Sequence, residues 1–200
     1  MSMKPLLLLI SVFAIFQSKL KAQEAFFTDS VRLVEDKFWG IQTNGLDWAY
    51  YQEYGIADMM SFRAEAGLTS TLSIAGGTNR QTEAAFLSSL YIAAEPRWYY
   101  SLKKRSRQGK DISYNSGVYV GLRAFYSPKW LAISNLASNE IDNNHSVILA
   151  PTYGLRGNLG KYFDFEVGIG LGYVVWFDGA DNFFDHNFMF LPHLRIGFKK

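Results

Sequence analysis

The stretch Tyr162–Phe177, YFDFEVGIGLGYVVWF, decides the fold. Phe163, Phe165, Val167, Ile169, Leu171, Tyr173, Val175 and Phe177 occupy alternate positions. Tyr162, Asp164, Glu166, Gly168, Gly170 and Gly172 lie between them. A two-residue period puts the first set on one face of a strand and the second on the other. A helix would carry three interior glycines, each costing about 1 kcal/mol against alanine. A strand in a narrow barrel can use them, because small inward residues leave room for large ones.

The alternation continues on both sides. In Asn187–Phe198 the even positions are Phe188, Phe190, Pro192, Leu194, Ile196 and Phe198, and the odd ones include His193, Arg195 and Gly197. Ser146–Arg156 sets Val147, Leu149, Pro151, Tyr153 and Leu155 against Thr152, Gly154 and Arg156. Gly117–Tyr126 sets Val118, Val120, Leu122 and Tyr126 against Tyr119, Gly121 and Arg123. Phe86–Trp98 sets Leu90, Ile92, Ala94 and Trp98 against Tyr91, Glu95 and Arg97. Met60–Leu72 sets Phe62, Ala64, Ala66 and Leu68 against Arg63, Glu65 and Gly67. Trp48–Tyr54 alternates more weakly, with Glu53 on the polar face. Phe38–Thr43 reads as a short first strand, with Asn44–Gly45 as the turn. The expected strands are 38–44, 46–54, 60–74, 84–102, 115–128, 145–157, 161–177 and 187–198. The first two read alternatively as one kinked strand, with residues 25–36 supplying another.

Lys4 followed by the apolar run Pro5–Phe16 reads as a signal peptide over residues 1–22, cut between Ala22 and Gln23. Residues 23–36 then form a periplasmic lead and residues 37–200 the barrel domain. The run is shorter than the roughly 20 residues of a spanning helix. No cysteine follows it to carry a lipid anchor. Removing residues 1–22 takes away Lys4, Lys19 and Lys21 and no acid, leaving 17 bases and 18 acids. That balance argues against nucleic-acid binding. The absence of cysteine rules out disulfides as the source of stability.

No later stretch is long and apolar enough for a spanning helix, so a membrane location requires a closed barrel. The expected fold is all-β: an eight-stranded antiparallel transmembrane up-and-down β-barrel. Both ends of the chain then face the periplasm, with turns at 55–59, 103–114 and 158–160 on that side and loops at 75–83, 129–144 and 178–186 outside. Trp48, Tyr50, Tyr54, Trp98, Tyr100 and Phe163 are expected near periplasmic strand ends. Tyr126, Trp130, Tyr173 and Phe177 are expected near outer ends, forming the two aromatic girdles.

The polar face carries Arg63, Arg97, Arg123, Arg156 and Arg195 against Glu53, Glu65, Glu95, Asp164 and Glu166. An eight-stranded barrel is just wide enough for side chains to fill, and charges there need partners. A balanced set of arginines and carboxylates suits a filled interior. Lysines concentrate instead in the turns, at Lys103, Lys104, Lys110, Lys129 and Lys161. The opposite assignment of faces would give a soluble lipocalin-like ligand-binding barrel or a β-sandwich. Pro96, Pro151 and Pro192 fall within strands and are expected at bulges.

Phe62–Leu68 (FRAEAGL), Glu95–Tyr100 (EPRWYY) running into Leu102–Arg105 (LKKR), Asn115–Gly117 (NSG) and Leu194–Phe198 (LRIGF) resemble small outer-membrane β-barrel proteins of Gram-negative bacteria, in the broad OmpA-like and OmpW-like superfamily. The resemblance covers almost the whole chain after residue 22. It implies outer-membrane lipids and the barrel-assembly machinery as partners, and a monomer. Lys199 and Lys200 follow Phe198, where the family end-signal usually finishes on an aromatic residue. A shared fold implies no particular activity.

Chemistry is sparse. His145, His186 and His193 include no metal-binding spacing, and no nucleophile-elbow motif occurs. Gly168–Gly172 lacks the Lys-Ser/Thr ending of a phosphate loop. Asp185–His186 reads as a solvated loop and His193 as part of the interior network. Lys103, Lys104, Arg105, Arg107 and Lys110 read as a solvated turn, or as a site for lipid phosphates. No enzyme activity and no cofactor is expected. The functional expectation is a structural or surface-interaction barrel, with an extracellular ligand at its outer loops. The alternative is a narrow conduit for small or apolar solutes, for which Pro96 and Pro151 hint at a lateral opening.

Overall fold

The computed structural model describes residues 32–77, 80–128, 132–134, 145–177 and 184–200, with side chains left out for 71–86, 132–134, 177 and 184–186. The expected signal peptide, lead residues 23–31, Lys129, Trp130 and most of the two long outer loops lie outside this set, as do the side chains of Asp185 and His186.

Ten strand segments build one antiparallel sheet. They are β1 (Lys37–Thr43), β2 (Trp48–Ala57), β3 (Met60–Gly77), β4 (Arg80–Trp98), β5 (Gly117–Ser127), β6 (Ala132–Ser134), β7 (His145–Leu159), β8 (Phe163–Phe177), β9 (Phe184–Phe190) and β10 (His193–Lys199). Segment β6 prolongs β5 along β4, and β9 and β10 lie end to end along β8, so the wall has eight strands. The first and last strands pair, from Gly40 with Lys199 to Thr43 with Ile196. This pairing closes an all-β, eight-stranded antiparallel barrel and excludes a two-sheet sandwich.

The first two strands are separate. Asn44 Oδ1 accepts the N–H groups of Leu46 (3.1 Å) and Asp47 (2.7 Å), and Gly45 supplies a left-handed φ of 102°. The hairpin is short. Trp48, beside its turn, pairs with Leu68, well below the top of β3. Trp48 therefore stands part-way up the wall, not at the end that carries Arg32 and Lys200. Above this hairpin, β3 has only β4 and β9 only β8 as partners among the described strands. Asp47 Oδ1 accepts the Ser70 N–H (2.8 Å) that the missing neighbour would otherwise take.

The three strand prolines are not bulges. The β4–β5 register is the same at Ala94–Ala124 and at Arg97–Gly121, on either side of Pro96. The β7–β8 register is likewise unchanged across Pro151, and the β8 register across Pro192. An antiparallel residue directs its N–H and C=O toward one neighbour only. Each proline therefore opens one gap on one side and keeps the pairing on the other: Pro96 with Phe62, Pro151 with Leu122. Pro192 lies above the last β1 pair, where no strand needs its N–H. Register shifts occur at Gly55–Ala57 and Ala75–Gly77 instead.

The end carrying Arg32 and Lys200, here the lower end, is capped. The fourth strand stops at Trp98, four residues before its expected end. Leu102–Arg107 then forms a short helix, α1, across the junction of the expected strand end and the expected 103–114 turn. Leu102 is fully buried against Val34, Tyr99 and Tyr119, with Leu33 and Ile112 packed alongside. The Leu33 and Val34 N–H groups both donate to the Asp58 carbonyl. The Glu35 N–H donates to Asn115 Oδ1 (2.8 Å) while Glu35 Oε1 accepts the Tyr114 N–H (3.1 Å). Tyr114 and Asn115 hold φ of 50° and 59°, a conformation costly for residues other than glycine and sustained by such contacts.

Candidate functional site

The strand pleat settles which face is inside. Among the described side chains, Ile169, Leu171, Leu149, Leu122 and Ile196 are exposed on the outer surface, while Arg63, Arg97, Arg156, Glu53, Asp164 and Glu166 are almost completely buried. All ten charged residues singled out on the polar face point inward and are joined by hydrogen bonds.

At the bottom, Glu53 Oε1 accepts from Ser61 Oγ (2.7 Å) and Asn115 Nδ2 (2.7 Å), and its Oε2 accepts from Arg156 Nη1 (3.0 Å). Arg156 also reaches Asp164 and Tyr51. Asp164 Oδ2 takes further bonds from the Tyr51 hydroxyl (3.0 Å) and Gln42 Nε2 (3.3 Å). Asn115 thus ties the lower cap directly to the network.

At mid-height, Glu166 is the hub. Its Oε1 accepts from Arg97 Nη2 (2.9 Å) and the Tyr119 hydroxyl (3.0 Å). Its Oε2 accepts from Arg63 Nη1 (3.0 Å) and Arg97 Nη1 (2.9 Å). His193 Nε2 stands 3.4 Å from Oε1. Arg97 Nη2 also donates to Glu95 (2.7 Å), whose other oxygen takes the Thr152 hydroxyl (2.6 Å). The guanidinium carbons of Arg63 and Arg97 sit 4.0 Å and 4.1 Å from the ring centres of Tyr51 and Tyr119, a favourable cation–π placement.

At the top, Glu65 gathers three arginines: Arg63 Nη2 (2.8 Å), Arg123 Nη2 (2.7 Å) and Arg195 Nη1 (3.0 Å), with the Tyr91 hydroxyl as a further donor. Charge-assisted, partly forked bonds of this kind are the strongest available to side chains. Buried charges repay their desolvation only when satisfied in this way.

Comparison with family models, curated proteins and solved structures gives no match.

Among the described residues no cluster of histidine, aspartate or glutamate is placed to hold a metal ion. His145 pairs with the Tyr126 hydroxyl (3.0 Å), far in register from His193. His193 lies beside Glu166 and Tyr119, with Gly168 against its ring. The polar face also holds partners that charge counting alone does not single out: Gln42, Tyr51, Ser61, Tyr91, Asn115, Tyr119 and Thr152. Tyr91, Tyr119 and Thr152 share the arginine-bearing alternation and were visible in it. Asn115 lies outside any strand, and nothing in its sequence context points to Glu53.

Proposed function

We propose that the chain is an outer-membrane-type β-barrel, a member of the small OmpA-like and OmpW-like class, with a filled interior and a structural or surface-interaction role. One observation carries this reading: the barrel is inverted relative to a soluble protein. Among the described residues its ion-pair network is inside, and a broad set of aliphatic and aromatic side chains, Leu122, Leu149, Ile169, Leu171 and Ile196 among them, faces outward. Monomeric soluble proteins rarely expose contiguous apolar patches beyond a few hundred Å². An outward apolar band around a polar interior is the pattern of transmembrane barrels. A soluble barrel with an apolar ligand cavity needs the opposite arrangement of faces.

Exposed Trp98, Tyr100, Tyr162 and Phe163 cluster at the lower end, where a membrane–water interface favours amphipathic rings. The lower cap and the charged bottom tiers argue against an open channel. In this reading the signal peptide directs export, outer-membrane lipids surround the monomer, and the assembly machinery inserts it. The outer loops are where an extracellular ligand would meet it.

The test is electrophoretic mobility of the protein from an outer-membrane fraction, heated and unheated. The expected result is a mobility shift on boiling and no reproducible conductance in planar bilayers. A soluble periplasmic protein without a shift would overturn the membrane assignment. Steady single-channel currents would overturn the filled-barrel role.

A further inference from the structure

The interior charge is balanced, but the arginines are not equally engaged along the barrel axis. Five arginines face five carboxylates, and Arg63, Arg97 and Arg156 each pair with two carboxylates or more. Higher up, Arg123 and Arg195 each make one ion pair, both with Glu65.

Exposure changes at the same level. The Arg63, Arg97 and Arg156 side chains are 0–1% accessible, whereas Arg123, Arg195 and His193 are 12%, 14% and 13% accessible. All three point inward, so the accessible space is inside the barrel. Arg123 spends only Nη2 on Glu65, and Arg195 only Nη1. Each guanidinium has five N–H donors, and among the described residues the others have no partner.

The inward positions next above change character. Phe125 stacks on Tyr91 with ring centres 4.6 Å apart. Ile148 and Leu191 lie against the Gly172 backbone, and Thr152 and Leu191 against that of Gly170. Phe125, Ile148 and Leu191 are only partly buried. Two under-used guanidiniums thus sit beneath an accessible apolar lining.

We propose that this upper interior binds an anionic amphiphile, a single-chain carboxylate, with its head on Arg123 and Arg195 beside His193 and its chain against Phe125, Ile148 and Leu191. A carboxylate matches the planar fork of arginine and would take the donors that Arg123 and Arg195 leave unused. The apolar lining distinguishes a chain-bearing carboxylate from a free small anion. The inference concerns the inside of the barrel and stands whatever medium surrounds the wall.

The test uses the folded barrel in nonionic detergent micelles and dodecanoate labelled with ¹³C at the carboxyl carbon. The expected result is one saturable bound resonance per barrel, distinct from the micellar one, with acetate and inorganic phosphate competing at least tenfold more weakly. The double variant Arg123→Gln, Arg195→Gln, checked for native near-ultraviolet circular dichroism, should lose that resonance. If that variant does not fold, Gly170→Leu decides. It keeps both arginines and intrudes on the chain, so dodecanoate should weaken at least tenfold while acetate is unchanged. Absence of a saturable resonance, or its persistence in the folded double variant or at full affinity in Gly170→Leu, overturns the site. Equal affinity for acetate, phosphate and dodecanoate overturns the amphiphile and leaves a small-anion pocket.

Discussion

The two halves of the barrel interior are built by different rules. Below, the cavity-facing charges are fully buried and multiply bonded: Glu166 alone takes bonds from Arg63, Arg97 and Tyr119, and the cap of Leu102, Val34 and Asn115 closes against them. Above, glycine, alanine and partly exposed apolar residues line the wall, and Arg123 and Arg195 keep donors in reserve. A buried, multiply bonded network fixes one arrangement, because each displaced partner leaves a buried charge uncompensated. A partly accessible, singly bonded one can accept a visitor. The same strands thus carry a rigid floor and a receptive chamber, and only the residues at alternate positions differ.

The strongest challenge to this contrast is Glu166→Ala. It strips the shared partner from two fully buried arginines, so a loss of about 3–5 kcal/mol is expected from breaking buried ion pairs on one side. Urea unfolding in micelles would read it. A loss below about 1 kcal/mol would mean that the floor is no more rigid than a surface ion pair.

The next largest effect separates inside from outside. Ile169, 49% exposed on the outer face, becomes arginine in Ile169→Arg. Near a bilayer midplane this should cost about 2–4 kcal/mol, measured as reduced folding yield into lipid vesicles. A neutral or stabilising outcome would argue for water on that face.

Gly154→Ala sharpens the packing side of the comparison. A Cβ there would meet the Tyr119 ring at 2.5–2.7 Å. Overpacking of this kind costs about 1–3 kcal/mol, and moving Tyr119 should also disturb its bond to Glu166. Because Gly170 meets its nearest neighbours at 3.3 Å, Gly170→Ala in the upper half should cost less. The two unfolding midpoints compared directly test whether the lower half is the tighter one.

The smallest effect lies in the cap. The Ser113 hydroxyl, aided by Asn158 Nδ2 and the Ser113 N–H, holds the Asp111 carboxyl below its ordinary value. A depressed folded pKa means that this clasp contributes fully above the ordinary aspartate range and is lost as pH falls through the lowered value. Hydrogen exchange at the Ser113 amide should therefore lose protection only on acidification, and Asp111→Asn should abolish that pH dependence. Unchanged protection at low pH would show that the carboxylate does not hold the loop.

The wall and its inward charges were legible in the sequence, and the reason is the pleat; the contrast between the two halves was not. Once Glu166, Gly168, Gly170 and Gly172 share a face, Arg156 and Arg195 follow on the neighbouring strands. The closed pairing of eight strands needed little more. Less legible were the features that depend on height. Trp48 reads as a strand-end aromatic, but its place on the wall is set by its pairing with Leu68, which no local pattern encodes. The helix α1 reads as a charged turn, because LKKRSR offers one apolar residue, Leu102, and its burial comes from Val34 and Tyr119, both far away in sequence. Prolines in mid-strand suggested bulges. Which neighbour a missing N–H faces is a property of the register, and that decides whether the ladder must shift.

The shortness of β1 has a mechanical consequence. The wall is fastened where the first strand meets the last, and the ladder there runs only from Trp39–Lys200 to Thr43–Ile196, whereas β3 and β4 stay paired from Met60–Trp98 to Gly77–Arg80. A cylinder loaded from within or without yields at its briefest fastening. Thermal breathing, and any slow parting of the wall, should start at this zip while the β3–β4 panel stays shut.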